Sequence, residues 1–356
     1  MQKKITRGWA QTIGMAFLAV GATSPVYAED GGDRIEIHGY GHQGFLQSKD
    51  NTYLKADDKG TWDYNALALL FAAKIDDKSK VWMQLYGDAS GMRLDWAFVD
   101  YQLSGNLTGR AGQIKAPIGL YNEIRDIRFL QLSTLQPMLY QEAAEIAFES
   151  YRGIAVAYDH DLGNSSLSLD AYAGQQVDFE ASATSEIKYR GLTGGRLTYK
   201  TPLDGLKFMV SAYSNKKEYT SYGATPGLEG TTNTALFSAD YTANNWDIKA
   251  EYADQHNGLE DKKARTYYAQ AGYTLAEKWT PFVRYDYMTT DVSQKSDPSY
   301  YQKSKVLGVN YKINNSIAVR VENHWNTGYA MPVASGENTG VKDDWNLFAA
   351  SVNFIF

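Results

Sequence analysis

The chain has 356 residues, with 35 Lys and Arg against 41 Asp and Glu, a formal net charge of −6 and no cysteine. The acidic balance argues against nucleic acid as a partner, and the lack of cysteine excludes disulfides and thiolate metal sites. Tyr is abundant (27), Gly is frequent (31) and Pro is scarce (8). After the N-terminal region no apolar run reaches the roughly eighteen residues of a transmembrane helix, so the composition favours alternating strands.

Residues 1–28 are predicted to be a secretory signal peptide. Basic residues at positions 3, 4 and 7 precede a short apolar stretch at 13–20, and Val26-Tyr27-Ala28 forms a small-x-small cleavage site except for its first residue. The apolar stretch is too short and wrongly flanked for a spanning helix. We therefore expect residues 29–356 to form one exported domain, whose net charge is about −9 once the three basic residues are removed.

Sixteen strands are predicted along this domain. Their approximate cores are 35–47, 62–75, 80–88, 92–103, 106–116, 149–158, 165–176, 189–200, 205–214, 232–243, 245–255, 264–275, 278–289, 301–312, 315–327 and 343–356. Tight links rich in Asn, Asp, Gly or Pro follow the even-numbered strands, while most other links are longer. This layout is typical of an outer-membrane barrel, and an even strand count places both chain ends on the short-turn, periplasmic rim.

The strands alternate between an apolar face and a polar face. Val283 and Tyr285 are predicted to point outward, whereas Arg284 and Asp286 point inward. An Arg or Lys facing lipid near the membrane midplane would cost roughly 2–4 kcal/mol, so the charged face must line water. By the same parity Arg320 and Glu322 point inward. A barrel of about sixteen strands is wide enough for an aqueous channel.

Aromatic residues on the apolar face cluster near the rim of tight turns. Such rings prefer the boundary between membrane and water, so the cluster predicts an interfacial girdle. The nine residues are Tyr101, Tyr158, Tyr199, Tyr241, Trp246, Tyr273, Trp279, Tyr311 and Phe356. The last strand, which ends on Phe356, resembles the C-terminal strand of Gram-negative outer-membrane barrels.

The longest link, residues 117–145, is unusually apolar for a surface loop. A loop of this length is functional or disordered, and its composition is not that of a disordered segment. We expect it to fold inward and to pack on the barrel wall, because loops that line a water-filled lumen are permitted at membrane depth. It would narrow the lumen and place Glu123, Arg125, Asp126 and Arg128 at the constriction.

The start of this link carries a family resemblance. The run Gly112-Gln113-Ile114-Lys115-Ala116-Pro117, followed by Asp126-Ile127-Arg128-Phe129, is similar to the phosphate-selective porin O and P family. The layout also resembles the general trimeric sixteen-stranded porins, whose third outer loop folds into the pore. The resemblance implies a homotrimer in the outer membrane, with membrane lipid and lipopolysaccharide around it. It also implies that Arg110, Lys115, Arg125 and Arg128 are candidates for anion binding.

The sequence predicts passive diffusion of small hydrophilic solutes and ions, with no cofactor, no metal and no enzymatic activity. No nucleophile elbow, zinc-protease motif or phosphate loop is present. A substrate-specific anion channel and a non-transport barrel, such as an adhesin or an enzyme, remain alternatives. A net-basic lumen would favour the first alternative, and a plugged lumen the second. The residues predicted to act at the pore are Arg110, Lys115, Glu123, Arg125, Asp126, Arg128, Arg284, Arg320 and Glu322.

Overall fold

The computed structural model describes residues 35–89, 91–141, 144–177, 187–219, 228–331 and 341–356, so the predicted signal peptide lies outside the described residues. Sixteen antiparallel strands form a closed barrel in which each strand pairs with its sequence neighbours and β1 pairs with β16. The strands are β1 Ile35–Lys49, β2 Thr61–Lys74, β3 Ser79–Asp88, β4 Gly91–Ser104, β5 Leu107–Lys115, β6 Ser150–Leu162, β7 Ser165–Gln176, β8 Ile187–Lys200, β9 Leu206–Tyr219, β10 Leu228–Ala243, β11 Trp246–Asn257, β12 Lys262–Tyr273, β13 Trp279–Thr289, β14 Tyr301–Lys312, β15 Ile317–Thr327 and β16 Asp344–Ile355.

Short 3-10 turns are the remaining regular elements of the described residues. They span Asn122–Ile124, Arg128–Leu130, Met138–Tyr140 and Val292–Gln294. No helix in the described ranges is long and apolar enough to cross a membrane. The predicted all-β barrel of sixteen antiparallel strands is therefore confirmed.

Burial alternates along the strands as the sequence pattern predicts. In β13 the side chain of Val283 is 54% exposed on the outside, whereas Phe282 and Arg284 on either side of it are buried inside. Successive side chains of a strand point to opposite faces, so a closed barrel sorts them into an outer apolar set and an inner polar set. Arg284, Arg320 and Glu322 all lie on the inner side.

The tight turns have the residues that their backbone angles require. Asn244 and Asn245, between β10 and β11, have φ values of 53° and 68°. Asn tolerates this left-handed region, and two such residues match the twist of a two-residue hairpin. In the turn between β2 and β3, Asp76 accepts hydrogen bonds from the backbone N–H of Lys78 and from the backbone N–H and hydroxyl of Ser79. These bonds hold the pKa of that exposed carboxyl below its ordinary value.

Aromatic rings meet across strands at the rim of tight turns. The rings of Trp246 and Tyr273 are 4.8 Å apart, and those of Trp279 and Tyr311 are 4.2 Å apart. Each pair is directly opposite in the strand register. Their positions agree with the aromatic girdle that was predicted from the sequence.

Two strands are longer than the sequence pattern indicated. β9 continues from the predicted end at 214 to Tyr219, and β10 begins at Leu228 rather than at 232. The polar run after Ser214 resembles a loop in sequence. In the structure, however, Lys216 pairs with Thr231 and Glu218 with Glu229 in the ladder. This extension matters because it brings additional polar side chains into the barrel interior.

Candidate functional site in the barrel interior

The connection between β5 and β6, residues 116–149, is here called the β5–β6 segment. Its apolar side chains lie against inward-facing residues of distant strands. Ile118 and Leu139 are fully buried in a cluster that includes Leu192 of β8 and Leu236 of β10. An apolar segment of this length would expose these side chains to water outside the barrel, so its burial against the inner wall follows from the hydrophobic effect.

Carboxylates of β13 and β15 bind the backbone in the second half of the segment. Glu322 accepts hydrogen bonds from the N–H groups of Thr134 (2.8 Å) and Leu135 (3.0 Å). Asp286 accepts one from the N–H of Met138 (3.2 Å). Buried backbone donors need partners, and a carboxylate is a strong one. These contacts fix the segment against one side of the wall.

The segment is also bound to the neighbouring strands β9 and β11. Glu251 of β11 accepts hydrogen bonds from the N–H of Leu120 (2.9 Å) and the hydroxyl of Tyr140 (2.5 Å). Gly119, with φ of +59°, donates its N–H to Ser211 of β9 (3.2 Å). The segment therefore contacts the inner wall along the arc from β9 to β15. That it narrows a conducting pathway remains a prediction.

One buried lysine, the last residue of β5, lies between three carboxylates, one on β4 and two in the β5–β6 segment. The Lys115 ammonium donates to Asp126 and to Glu149 (2.9 Å) and lies 4.0 Å from Asp95. Gln84 donates to Asp95 (2.6 Å) and to Asp126 (3.0 Å). The three carboxylates have oxygens within 4.8 Å of one another, and the lysine cation balances part of their charge. We assign no metal to this cluster.

Two further predicted basic residues are also paired with acids. Arg110 is 2.8 Å from Asp100, directly opposite it in the ladder, and Arg284 is 2.6 Å from Asp286. Arg284 also donates to the hydroxyl of Ser133 and the carbonyl of Leu135. Their charges are therefore neutralised locally.

The acidic residues of the segment are bound to the wall in the same way. Glu123 is 2.6 Å from Arg196 of β8, which also pairs with Asp170 of β7 at 2.9 Å. Asp126 pairs with Lys115. Neither carboxylate is free of a basic partner, so each serves at least to fasten the segment.

The other three predicted basic residues have only neutral partners among the described residues. Arg125 donates to the carbonyl of Tyr140 (2.9 Å), and Arg128 makes one long contact with Gln131 (3.4 Å). Arg320, fully buried, donates to Asn310 (2.9 Å) and to the carbonyl of Phe129 (3.0 Å). Arginine stays protonated, and none of these three guanidinium groups forms an ion pair with another described residue, although Glu322 interacts electrostatically with Arg320 and Asp126 with Arg125.

Two of these arginines lie close together beside a histidine. Arg128 and Arg320 interact electrostatically with each other and with His42 of β1. Arg128 Nε, Arg320 Nη1 and His42 Nδ1 are buried, and none has a hydrogen-bond partner in the described part of the chain. Arg128 Nε and Arg320 Nη1 are buried donors without acceptors, which is unfavourable. An acceptor that carries negative charge would satisfy them.

Sequence reasoning missed several residues that organise this interior. Asp95, Glu149 and Glu251 hold the segment, but none was predicted to act at the pore. Strand parity alone places Glu251 inside. Nothing in the local sequence indicates that its partner is the N–H of Leu120, 131 positions away.

The model of the phosphate-selective porin O and P family matches residues 60–325, well over half of the chain. The chain belongs to this family. This porin is therefore an outer-membrane channel for passive diffusion. A search of curated proteins found no match.

Solved structures show the same fold at low sequence identity. OmpT of Vibrio cholerae is 13% identical with a TM-score of 0.60, over 94% of this chain and 100% of that one. The outer membrane channel DcaP of Acinetobacter baumannii is 14% identical (TM-score 0.59, 93% and 100%). The anion-selective porin from Comamonas acidovorans is 12% identical (TM-score 0.61, 90% and 99%). At these identities the likeness concerns the fold alone.

Proposed function

We propose that this porin passes small hydrophilic solutes and ions by diffusion, without bond chemistry, and that the β5–β6 segment sets the narrowest part of the path. The proposal is supported by contacts of the segment with two strands that lie eight positions apart in the closed barrel: Glu123 pairs with Arg196 of β8 at 2.6 Å, and the hydroxyl of Thr134 bonds to that of Ser351 of β16 at 2.9 Å. A segment fastened to both walls reduces the open cross-section. Irregular backbone is permitted at membrane depth where it lines a cavity.

We further propose that the narrow part prefers anions. The supporting observation is that some basic residues of the interior form ion pairs with acids and others do not. Arg110, Lys115 and Arg284 form ion pairs with acids, whereas Arg128 and Arg320 donate hydrogen bonds only to neutral groups, and Glu322 interacts with Arg320 without direct contact. Rings or pairs of uncompensated arginine attract anions in pores. Their unpartnered nitrogens offer hydrogen bonds that chloride or phosphate can accept, in place of a hydration shell.

The assembly is proposed to be a homotrimer in the outer membrane, exported by a signal peptide that is then cleaved. One solved neighbour, OmpT of Vibrio cholerae, is described in a trimer form. The outer face of β2 carries Leu67, which is 40% exposed, followed by Leu69 and Phe71, and this apolar surface would suit contact with a neighbouring barrel.

The test is the ion selectivity of an Arg128→Gln/Arg320→Gln double variant in a planar bilayer. The zero-current potential in asymmetric KCl gives the ratio of chloride to potassium permeability. We expect the ratio to fall toward that of an unselective pore, because glutamine keeps hydrogen-bonding capacity but removes the charge. Arg190→Gln is the matched control, since Arg190 is half exposed and paired with Glu218.

An unchanged permeability ratio in the folded double variant would refute the assignment of the anion preference to these arginines. Correctly folded native protein that gives no current steps at all would contradict the transport function itself. That second outcome would favour a non-transport barrel with a plugged lumen.

A further inference from the structure

A separate cavity lies at the rim of long connections. It has a volume of about 200 Å³ and is lined by Arg125 and the last residues of the β5–β6 segment and by the ends of β7 to β11. This volume is enough for several water molecules or one small solute. Arg128 and Arg320 do not line it.

Four uncharged polar residues, three amides and a hydroxyl, line this cavity beside four charged ones. Gln176 of β7, Asn215 of β9, Thr232 of β10 and Gln255 of β11 all face the cavity. Gln255 donates to the carbonyl of Glu145 (2.8 Å), which holds that amide in place. Groups that both donate and accept match a hydroxyl, which does the same.

One of these amides has an unsatisfied acceptor. Asn215 is only 2% exposed, and its side-chain nitrogen donates to Gln176 Oε1 at 2.6 Å. This bond orients the amide and leaves Asn215 Oδ1 buried without a partner in the described residues. A buried acceptor without a donor is unfavourable, and a ligand that donates a hydrogen bond removes this cost. A chloride ion cannot donate one.

Aromatic rings form the apolar part of the wall. Phe148 and Tyr213 meet edge to face, with centroids 5.1 Å apart, and the Tyr213 hydroxyl donates to the carbonyl of Ile146 (2.6 Å). Tyr189 also lines the cavity. Rigid aromatic surface offers contact area for the C–H face of a small ring or polyol.

The four charged groups of the wall each have a partner already. Lys217 pairs with Glu145 at 3.1 Å, and Glu149 pairs with Lys115 at 2.9 Å. Arg125 directs its guanidinium to backbone carbonyls. A charged solute would have to displace these contacts, whereas an uncharged one would not.

We propose that this cavity is a binding subsite for a small, uncharged, hydroxyl-rich solute, that is, a polyol or a monosaccharide. A hydroxyl donates to Asn215 Oδ1, and the neighbouring amides bind further hydroxyls. The aromatic wall packs against the carbon skeleton. The inference goes beyond the proposed anion preference and depends on different residues.

Equilibrium dialysis of the folded, detergent-solubilised porin with labelled D-glucose tests the proposal without requiring ion conduction. We expect saturable binding in roughly the millimolar range, because a pore site must release its solute. Asn215→Leu removes the acceptor at similar size and is expected to weaken binding about tenfold. Asn326→Leu, on the inner side of β15, makes the same chemical change outside the cavity and should bind as the native protein does.

Two results would overturn the proposal. One is the absence of saturable glucose binding to the native protein, and the other is native affinity in folded Asn215→Leu. Tighter binding of acetate or glycine than of glucose would overturn the solute class. If Asn215→Leu does not fold, Tyr189→Leu tests the aromatic wall, and native affinity in that variant counts against the proposal. Failure of the proposed anion preference would instead appear in the zero-current potential, which glucose does not affect.

Discussion

Lys115→Met is expected to destabilise the barrel strongly, because it leaves three buried carboxylates without their cation. The ammonium lies 2.9 Å from Glu149 and 4.0 Å from Asp95, and it donates to Asp126. At an effective dielectric constant of about 20 these two distances correspond to gross attractions of roughly 6 and 4 kcal/mol. Desolvation of the charged groups offsets much of this. Removing one partner of a buried ion pair costs about 3–5 kcal/mol, and we expect a loss in that range.

The assay is urea unfolding of the porin refolded in lipid, followed by tryptophan fluorescence. A shift of the midpoint without a change in slope gives the loss of stability directly. The matched control adds Asp126→Asn and Glu149→Gln to Lys115→Met, which removes two of the three uncompensated charges while keeping hydrogen-bonding groups. Its stability should return most of the way to that of the native protein.

The reasoning fails if Lys115→Met unfolds at the native urea concentration. It also fails if the triple variant is less stable than the single one. Either result would mean that the attraction of Lys115 for its carboxylates does not exceed the cost of burying them.

Three other substitutions are expected to lower the free energy of unfolding in the same assay. Glu322→Gln replaces a two-oxygen acceptor of the Thr134 and Leu135 N–H groups by a single oxygen, at a cost of about 1–3 kcal/mol. Gly119→Ala, at φ of +59°, places a methyl group against the Tyr140 hydroxyl and should cost roughly 1–3 kcal/mol. Val283→Arg, on the outer face, should cost about 2–4 kcal/mol in lipid.

Each of these has a matched control. Glu229→Gln alters an exposed pair with Lys216 and should change stability by less than about 1 kcal/mol. Gly163→Ala shares the left-handed backbone (φ +73°) but has open space around the new methyl group. Leu162→Arg lies at the rim, where an outward arginine costs roughly 0–1 kcal/mol. If a variant and its control lose equal stability, the stated cause is wrong for that residue.

The sixteen strands could be predicted because their signal is local. Alternation of apolar and polar residues and the turn chemistry of pairs such as Asn244-Asn245 are properties of neighbouring residues. The same local signal fails where a strand extends beyond the apolar band. The polar run Lys216-Lys217-Glu218 belongs to β9, and the predicted end at 214 excluded Asn215 from the strand.

Contacts between neighbouring strands could be predicted from the sequence, whereas contacts between distant parts of the chain could not. Asp100 with Arg110 and Asp170 with Arg196 are directly opposite in neighbouring strands, so turn positions and parity together locate them. The bond from the Thr134 N–H to Glu322 spans 188 positions and depends on how the β5–β6 segment folds. Sequence predicts an inward fold for that segment from its apolar composition. It does not predict which carboxylates bind it, nor which arginines have no acidic partner.

The most direct test of the proposed anion-preferring pore is the zero-current potential of the native porin in a planar bilayer under a tenfold KCl gradient. We expect steady single-channel steps and a potential whose sign corresponds to greater permeability for chloride than for potassium. Addition of phosphate should then reduce the current, because phosphate competes for Arg128 and Arg320. A potential near zero, or one that favours potassium, would contradict the assignment of charge selection to these two arginines.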